Sequence, residues 1–281
     1  MKISGVVIAK DEEGRIKKCL ESLRFCDEII VIDDYSTDNT AKIARSRGAA
    51  VYKKHLNQDF SSQRNFGLAK AKNEWVFFLD ADEKVTPSLS QEIVRHLRNA
   101  NKEKNKGFYF FRQDYFLNQK LNFGETAHVK LLRLAKKSAG KWKGRVHEEW
   151  IVKGKTGFFQ NPLLHYPHRE LSDLLAKINF YSGLKAQELA KKGEKSSLSM
   201  IIAFPLGKFL KNYFWLQGFR DKTAGFIFAM AMSFHSFLTR AKLWQSSKKK
   251  SFFWEKAGYS LYLIWLIIIL VLYLWLVLHW R

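Results

Sequence analysis

Asp80-Ala81-Asp82-Glu83 places three carboxylates within four positions, directly after the apolar run Trp75-Val76-Phe77-Phe78-Leu79. Carboxylates this close repel one another unless a cation holds them, and hard oxygen ligands suit Mg²⁺ or Mn²⁺. Asp also caps helices and fills turns, so Asp-x-Asp alone is a weak signal. The same pairing recurs twice. Ile3-Ser4-Gly5-Val6-Val7-Ile8-Ala9 runs into Lys10-Asp11-Glu12-Glu13, and Glu28-Ile29-Ile30-Val31-Ile32 runs into Asp33-Asp34-Tyr35-Ser36-Thr37-Asp38. Solubility alone would scatter such acids over helix faces. Their convergence on strand ends is the pattern of a nucleotide–metal site.

The elements that must deliver these groups follow from the spacing of apolar residues. Short apolar runs without polar alternation read as strands buried on both faces of a parallel sheet. Between them, residues 15–25 put Ile16, Cys19, Leu20 and Leu23 on one helical face. Ser36-Thr37-Asp38-Asn39 starts a second helix and Gly48 stops it. Residues 49–52 make a short strand, and 61–71 a helix carrying Gln63-Arg64-Asn65. Thr86-Pro87 opens a helix to about 99, with Ile93, Val94 and Leu97 facing inward. This alternation predicts an α/β fold with a doubly wound, mostly parallel sheet. Residues 107–117 and 128–134 are strand-like, 142–150 contains Gly144-Arg145-Val146-His147-Glu148-Glu149, and 163–168 closes this half. From Leu171 a helical stripe runs to Gly193. Residues 199–218 hold Pro205 and Gly207 between apolar and basic positions, and 224–238 is uncharged but too short to span a bilayer comfortably.

Of the 281 residues, 48 are Lys or Arg and 26 Asp or Glu, a net charge of +22. The first 100 residues are nearly balanced, so almost all the excess lies beyond them. Such a body faces either nucleic acid or an anionic membrane. Position decides for the membrane. Residues 257–280 carry no formal charge, long enough to cross a hydrocarbon core of ~30 Å, and have aromatic residues near both ends. Lys248, Lys249, Lys250 and Lys256 precede this run and only Arg281 follows. The positive-inside rule then predicts a single-pass protein with residues 1–256 on the cytoplasmic side of the inner membrane. No signal-peptide pattern opens the chain. Cys19 and Cys26 are expected as reduced thiols. The expected domains are a catalytic domain at 1–168, a basic amphipathic helical membrane-associated region at 169–256 and a transmembrane helix at 257–280. Absence of Gly-x-Gly-x-x-Gly after the first strand, and of any Gly-x-x-x-x-Gly-Lys-Ser/Thr, argues against dinucleotide oxidoreductases and P-loop enzymes.

The ordered set Val6-Val7-Ile8-Ala9-Lys10-Asp11-Glu12, Asp33 to Asp38, Gln63-Arg64-Asn65 and Asp80-Ala81-Asp82-Glu83 resembles glycosyltransferase family 2. With Arg133-Leu134, Val146-His147-Glu148 and His165-Tyr166 it looks like the branch containing lipopolysaccharide core glucosyltransferases. Arg220-Asp221-Lys222 stands where the family usually has Asp-Gly, and a terminal membrane span is not typical of it. The resemblance implies a GT-A-type domain. It also implies inverting transfer of a hexose from a UDP-sugar, by analogy UDP-glucose, to a hydroxyl of a lipid-anchored glycan such as lipopolysaccharide inner core. A polyprenyl-phosphate sugar synthase shares the same features and is the alternative. Nucleic acid is not an expected partner.

Residue roles follow from that resemblance. Asp34 would accept a uracil N–H, with helix capping as its plain alternative. Ala9 and Glu12 would line the nucleoside pocket, Glu12 being equally suited to a first-turn helix acid. Arg64 would meet the donor's phosphate or base unless it is simply solvated. Asp80 and Asp82 would hold Mg²⁺ or Mn²⁺ on the diphosphate, Asp82 more directly. Glu148 is the candidate general base, supported by His147, with Glu149, Asp114 and Glu125 as competitors. His165 and His168 are expected to pack or to lie at an interface.

Overall fold

The structure, a computed structural model, describes residues 1–57, 59–127, 129–144, 148–168 and 170–247, with Trp265 and Ile269. Its first elements are β1 (Ile3–Ala9), α1 (Ile16–Ser22), β2 (Glu28–Asp33), α2 (Thr40–Ser46), β3 (Ala50–Lys53), α3 (Phe60–Lys70) and β4 (Trp75–Asp80). Then come β5 (Glu83–Lys84), α4 (Pro87–Glu103), β6 (Gly107–Phe116), β7 (Gln119–Lys120), β8 (Lys130–Lys136), β9 (Gly140–Lys143), β10 (Glu149–Val152), β11 (Thr156–Phe158) and β12 (Leu163–His168). Helices α5 (Leu171–Lys191), α6 (Leu198–Leu210) and α7 (Lys222–Ser247) follow.

One large sheet has the order β3-β2-β1-β4-β8-β6-β12-β5. Its first four strands are parallel, as their apolar runs predict. Beyond β4 the expectation of a mostly parallel sheet gives way: β8 is antiparallel to both β4 and β6, so the sheet is mixed. The connection from β6 to β8 holds no helix among the described residues and β8 runs back antiparallel, whereas β11 and β12, reached over a longer stretch of chain, lie parallel to β6. Alternate residues divide the core. Ile3, Val7, Val31, Trp75, Phe77 and Leu79 pack with α1 and α4 on one face. Val6, Ile30, Ile32, Val76 and Phe78 meet Leu68 of α3 and the Trp142–Trp150 pair on the other.

Helix α3 lies close on the sheet because residue 67 is glycine. A Cβ there would stand 2.6 Å from Val6 Cγ1. Asp59 caps this helix by accepting the Ser62 N–H at 2.9 Å, and Thr86 caps α4 ahead of Pro87 by accepting that of Leu89. A hairpin of β9 and β10 is pinned below β4, its stacked Trp142 and Trp150 each edge-on to Phe78. Such aromatic pairs contribute ~0.5–1.5 kcal/mol beyond their buried area.

The chain forms two compact units, Met1–Ile178 with Leu206–Phe234, and Asn179–Pro205 with His235–Arg281. In the second, Ala186 and Leu189 pack on Leu243, and Lys242 Nζ donates to Asn179 Oδ1 and Ser182 Oγ. Both cysteines are free thiols. Among the described residues no helix is long and apolar enough to cross a membrane. The span expected at 257–280 lies outside them, apart from Trp265 and Ile269.

Candidate active site

The loops after β1 and β2 are laced together by their own acids. Asp11 Oδ1 accepts the Thr37 N–H at 2.8 Å, Glu13 Oε2 that of Asn39 at 3.0 Å, and Asp38 Oδ2 that of Glu13 at 3.0 Å. Glu12 N–H donates to Thr40 Oγ1, while its carboxylate meets the Arg15 guanidinium at 3.3 Å. Asp34 differs. Its N–H donates to the Ala9 carbonyl, holding the two strand ends together. Its carboxylate accepts the Leu56 N–H at 2.9 Å and contacts Lys10 Nζ at 3.2 Å and His55 Nδ1 at 3.5 Å. It does not cap α2, whose first turn is held by Asp38. Beside it the Tyr35 and His55 rings stack with centroids 3.8 Å apart.

Gln63-Arg64-Asn65 binds three separate segments from one turn of α3. Gln63 Nε2 donates to the Lys54 carbonyl. Asn65 exchanges two hydrogen bonds with the Trp142 backbone, fixing the β9–β10 hairpin. Arg64 lies between them, almost fully buried, with its guanidinium 4.6 Å over the Trp142 ring. Its Nε donates to Glu148 Oε1 at 2.8 Å and its Nη2 to Asp80 Oδ1 at 2.9 Å. A solvated helix arginine would show none of this.

Asp80 receives a second arginine. Arg133 of β8 donates to Asp80 Oδ2 at 2.5 Å and to Glu83 Oε1 at 3.0 Å. Burial works against ionisation of Asp80, but the Arg133 and Arg64 charges outweigh it and hold the carboxyl well below its ordinary range. Burial pushes Glu83 up, opposed by Arg133. Glu83 Oε2 also accepts the Asp80 N–H, so the turn after β4 is closed on itself. Both Asp80 oxygens are thereby engaged.

Asp82 faces another way. Its Oδ2 lies 3.5 Å from His165 Nε2 and 4.0 Å from Lys177 Nζ. His165 is on β12, in register with Asp114 on neighbouring β6, and its Nδ1 is 2.8 Å from Asp114 Oδ1. Burial disfavours the imidazolium, but the two carboxylates outweigh burial and raise its pKa to about 9. Asp82 itself is held low, burial being outweighed chiefly by the His165 hydrogen bond. Expected to pack or to lie at an interface, His165 bridges two carboxylates. The available signal was its place on a strand beside β6, which becomes visible only once the strands are paired.

Of the carboxylates in the turn after β4, Asp82 is the one whose described partners are a histidine and a lysine rather than arginines, and a hard divalent cation would need such a carboxylate. His165, held as a cation with one ring nitrogen on Asp82 and the other on Asp114, has no free lone pair for a metal and instead orients the Asp82 carboxylate. Among the described residues no group of three or more His, Cys, Asp or Glu side chains is placed to hold a metal ion. Glu148 is mostly buried and lies across Arg64 from Asp80. Of its competitors, Asp114 is taken by His165 and Arg112, and Glu125 by Lys208, while Glu149 is exposed. His147 lies outside the described residues.

Residues 4–150 match the family model described as glycosyl transferase family 2. The lipopolysaccharide core biosynthesis glycosyltransferase LpsC of Rhizobium meliloti (strain 1021) is 30% identical over 256 residues, covering 89% of this chain and 94% of that protein. An uncharacterized glycosyltransferase of Rickettsia bellii (strain RML369-C) is 30% identical over 86% of each chain. Among solved structures, glucosyl-3-phosphoglycerate synthase from Mycobacterium tuberculosis, in complex with Mn²⁺, UDP and glucosyl-3-phosphoglycerate, aligns over 70% of this chain and 81% of its own. The TM-score is 0.44 at 17% identity. A score that low carries no weight for this chain.

Proposed function

The chain belongs to glycosyltransferase family 2, and on that premise we propose that it is an inverting, metal-dependent hexosyltransferase. Its donor is a UDP-hexose, with UDP-glucose the first to test, and its acceptor a hydroxyl of a membrane-anchored glycan of the lipopolysaccharide-core class. The observation that carries this reading is the Arg64 fork, which ties Glu148 to Asp80 one turn from Asp82. A candidate base and the turn that carries Asp82 are thereby kept at fixed separation.

The uracil rests against Asp34, which accepts its N–H, with Ala9 and Glu12 beside the nucleoside. Asp82 would hold Mg²⁺ or Mn²⁺, oriented by His165, and the ion would supply neutralisation of the charge on departing UDP. Arg64 and Arg133 keep Asp80 ionised and rigid behind that position. Glu148 takes the proton of the attacking hydroxyl as the sugar–phosphate bond breaks on the opposite face. His147 is assigned a supporting hydrogen bond to the acceptor side. The basic excess beyond residue 100 is assigned to an anionic membrane surface, and residues 257–280 to a single span with the catalytic domain in the cytoplasm.

Glu148→Gln keeps an oxygen for Arg64 and removes basicity. It should lower kcat at least about 100-fold, within the ~10²–10⁴ that a general base contributes, with UDP binding little changed. Calorimetry with UDP and Mn²⁺ and a transfer assay on membrane lipid extract measure both. The second reading is transfer to a lipid phosphate, favoured by one fact: Glu148 Oε1 is already occupied by Arg64, and a phosphate acceptor needs no base. Near wild-type turnover by Glu148→Gln with undecaprenyl phosphate as acceptor would select it.

A further inference from the structure

Residues 206–219 form a surface that is inside out for a water-facing helix. Leu206, Leu210 and Phe214 recur at four-residue spacing and are about half exposed, as is Phe219, and Trp215 is 82% exposed. Asn212 and Asp221, by contrast, point into the protein, while the charged Lys211 and Arg220 stay at the surface. Buried Asn212 Oδ1 accepts the Glu125 N–H at 3.1 Å, and Asp221 accepts those of Asn122 and Phe123 at 2.9 and 2.8 Å. The Gly124 N–H donates to the Leu216 carbonyl. Phe209, Tyr213 and Phe226 interlock beneath. Water does not select polar-in, apolar-out placement; an apolar medium does.

Charge selects which medium. No acidic residue occurs between Glu194 and Asp221, while Lys208, Lys211 and Arg220 do. Two copies meeting on this face about a two-fold axis would set Lys211 and Arg220 against themselves, and residues 248–256, with four lysines against one glutamate, would bring the same sign. An exposed tryptophan beside basic residues is the composition of a bilayer interface. We propose that residues 206–219 are the face by which this protein sits in an anionic lipid surface, Phe214, Trp215 and Phe219 entering the headgroup region and Lys211 and Arg220 meeting lipid phosphates. The inference deepens the membrane-acceptor reading. It also has a structural corollary: the docked face is bonded to 121–124, and the Leu121 N–H donates to the Asp114 carbonyl. Docking therefore orients the strand that carries the partner of His165.

The test uses the full chain reconstituted in phosphatidylcholine vesicles with and without phosphatidylglycerol. An environment-sensitive fluorophore is placed on Trp215→Cys and, as control, on Lys72→Cys, an exposed site at the far end of α3. Doxyl-labelled lipid should quench the label at 215 several-fold more than at 72. Phe214→Ser with Lys211→Glu should remove most of that difference, and so should omission of phosphatidylglycerol. Equal quenching at both sites overturns the proposal, whether iodide reaches position 215 (a free surface) or does not (a face covered by protein). The readout needs no sugar transfer, so it stands or fails separately from the proposed activity.

Discussion

The loops after β1 and β2 and the turn after β4 look alike in sequence, each an apolar strand running into acids, yet their acids do different work. After β1 and β2, Asp11, Glu13 and Asp38 accept backbone N–H groups from the facing loop and build the rim. After β4, Asp80 and Glu83 are closed over by arginines, and Asp82 is left to a histidine. The difference lies in what reaches each cluster. Rim acids find neutral N–H groups a loop away, whereas Arg64 and Arg133 arrive from 16 and 53 residues off to meet Asp80. Acid at a strand end is thus a position, and its partner makes the role.

The largest effect expected of this contrast is on activity. Asp82→Asn should reduce transfer by about 10³-fold or more, since several kcal/mol of charge stabilisation is lost, with little change in Tm because among the described residues its side chain has only the 3.5 Å contact with His165 and the 4.0 Å contact with Lys177. Asp38→Asn, in the rim, should stay within about threefold of wild type. Equal losses in the two variants would show that the clusters do not differ. Steady-state assays beside thermal melts decide it.

Next comes stability. Arg133→Met leaves Glu83 buried and Asp80 with one arginine fewer. Breaking a buried ion pair costs ~3–5 kcal/mol, and partial exposure of Asp80 puts the expected loss near the lower end, about 3 kcal/mol by urea unfolding. A neutral result would mean that the turn after β4 is held without its arginines.

A carboxylate outside both clusters sharpens the comparison. Glu92 on α4 accepts the N–H groups of Gln160 and Asn161 at 2.7 and 2.9 Å. Burial raises its pKa, but these bonds outweigh burial and lower it. Glu92→Gln should cost about 2 kcal/mol near neutrality, the range of hydrogen bonds to a charged group. Because the folded-state pKa is depressed, that difference should be complete above the ordinary glutamate range of ~4.3 and vanish as pH falls through the folded value. A penalty that persists unchanged into acid would assign it to packing.

The smallest effect is a gain. Lys222 adopts φ +53°, a left-handed conformation that favours glycine, at the place where the family resemblance leads one to expect glycine after Asp221. Lys222→Gly should stabilise by up to about 1 kcal/mol, read as a small rise in the urea midpoint.

Much of the donor-side architecture was legible in the sequence. Strands β1, β2 and β4 announce themselves because burial on both faces leaves no polar alternation, and Thr86-Pro87 marks its helix start through a local hydrogen bond. Of the residues singled out, Arg64 is bonded to both Asp80 and Glu148, Asp82 lies in the same turn as Asp80, and Asp34 sits apart at the end of β2 among Lys10, His55 and Leu56. The antiparallel half was less legible, since short strands such as Gly140–Lys143 and Glu149–Val152 carry too few residues to set a period.

By itself the sequence determined which chemistry was on offer: local apolar runs decide where strands end, and the residues that follow are then delivered to one edge of the sheet. Only the tertiary structure decided which carboxylate does what. Asp80 and Asp82 are two positions apart in a single motif, yet one is clasped by two arginines and the other faces His165. The same holds for Arg64, which joins Glu148 to the turn after β4, and for Asp221, which secures the backbone of 122–123. Each of these roles belongs to a pair distant along the chain. A carboxylate's function is set by the charge and hydrogen-bond donors within a few ångströms of it, and strand pairing, not sequence spacing, chooses those neighbours.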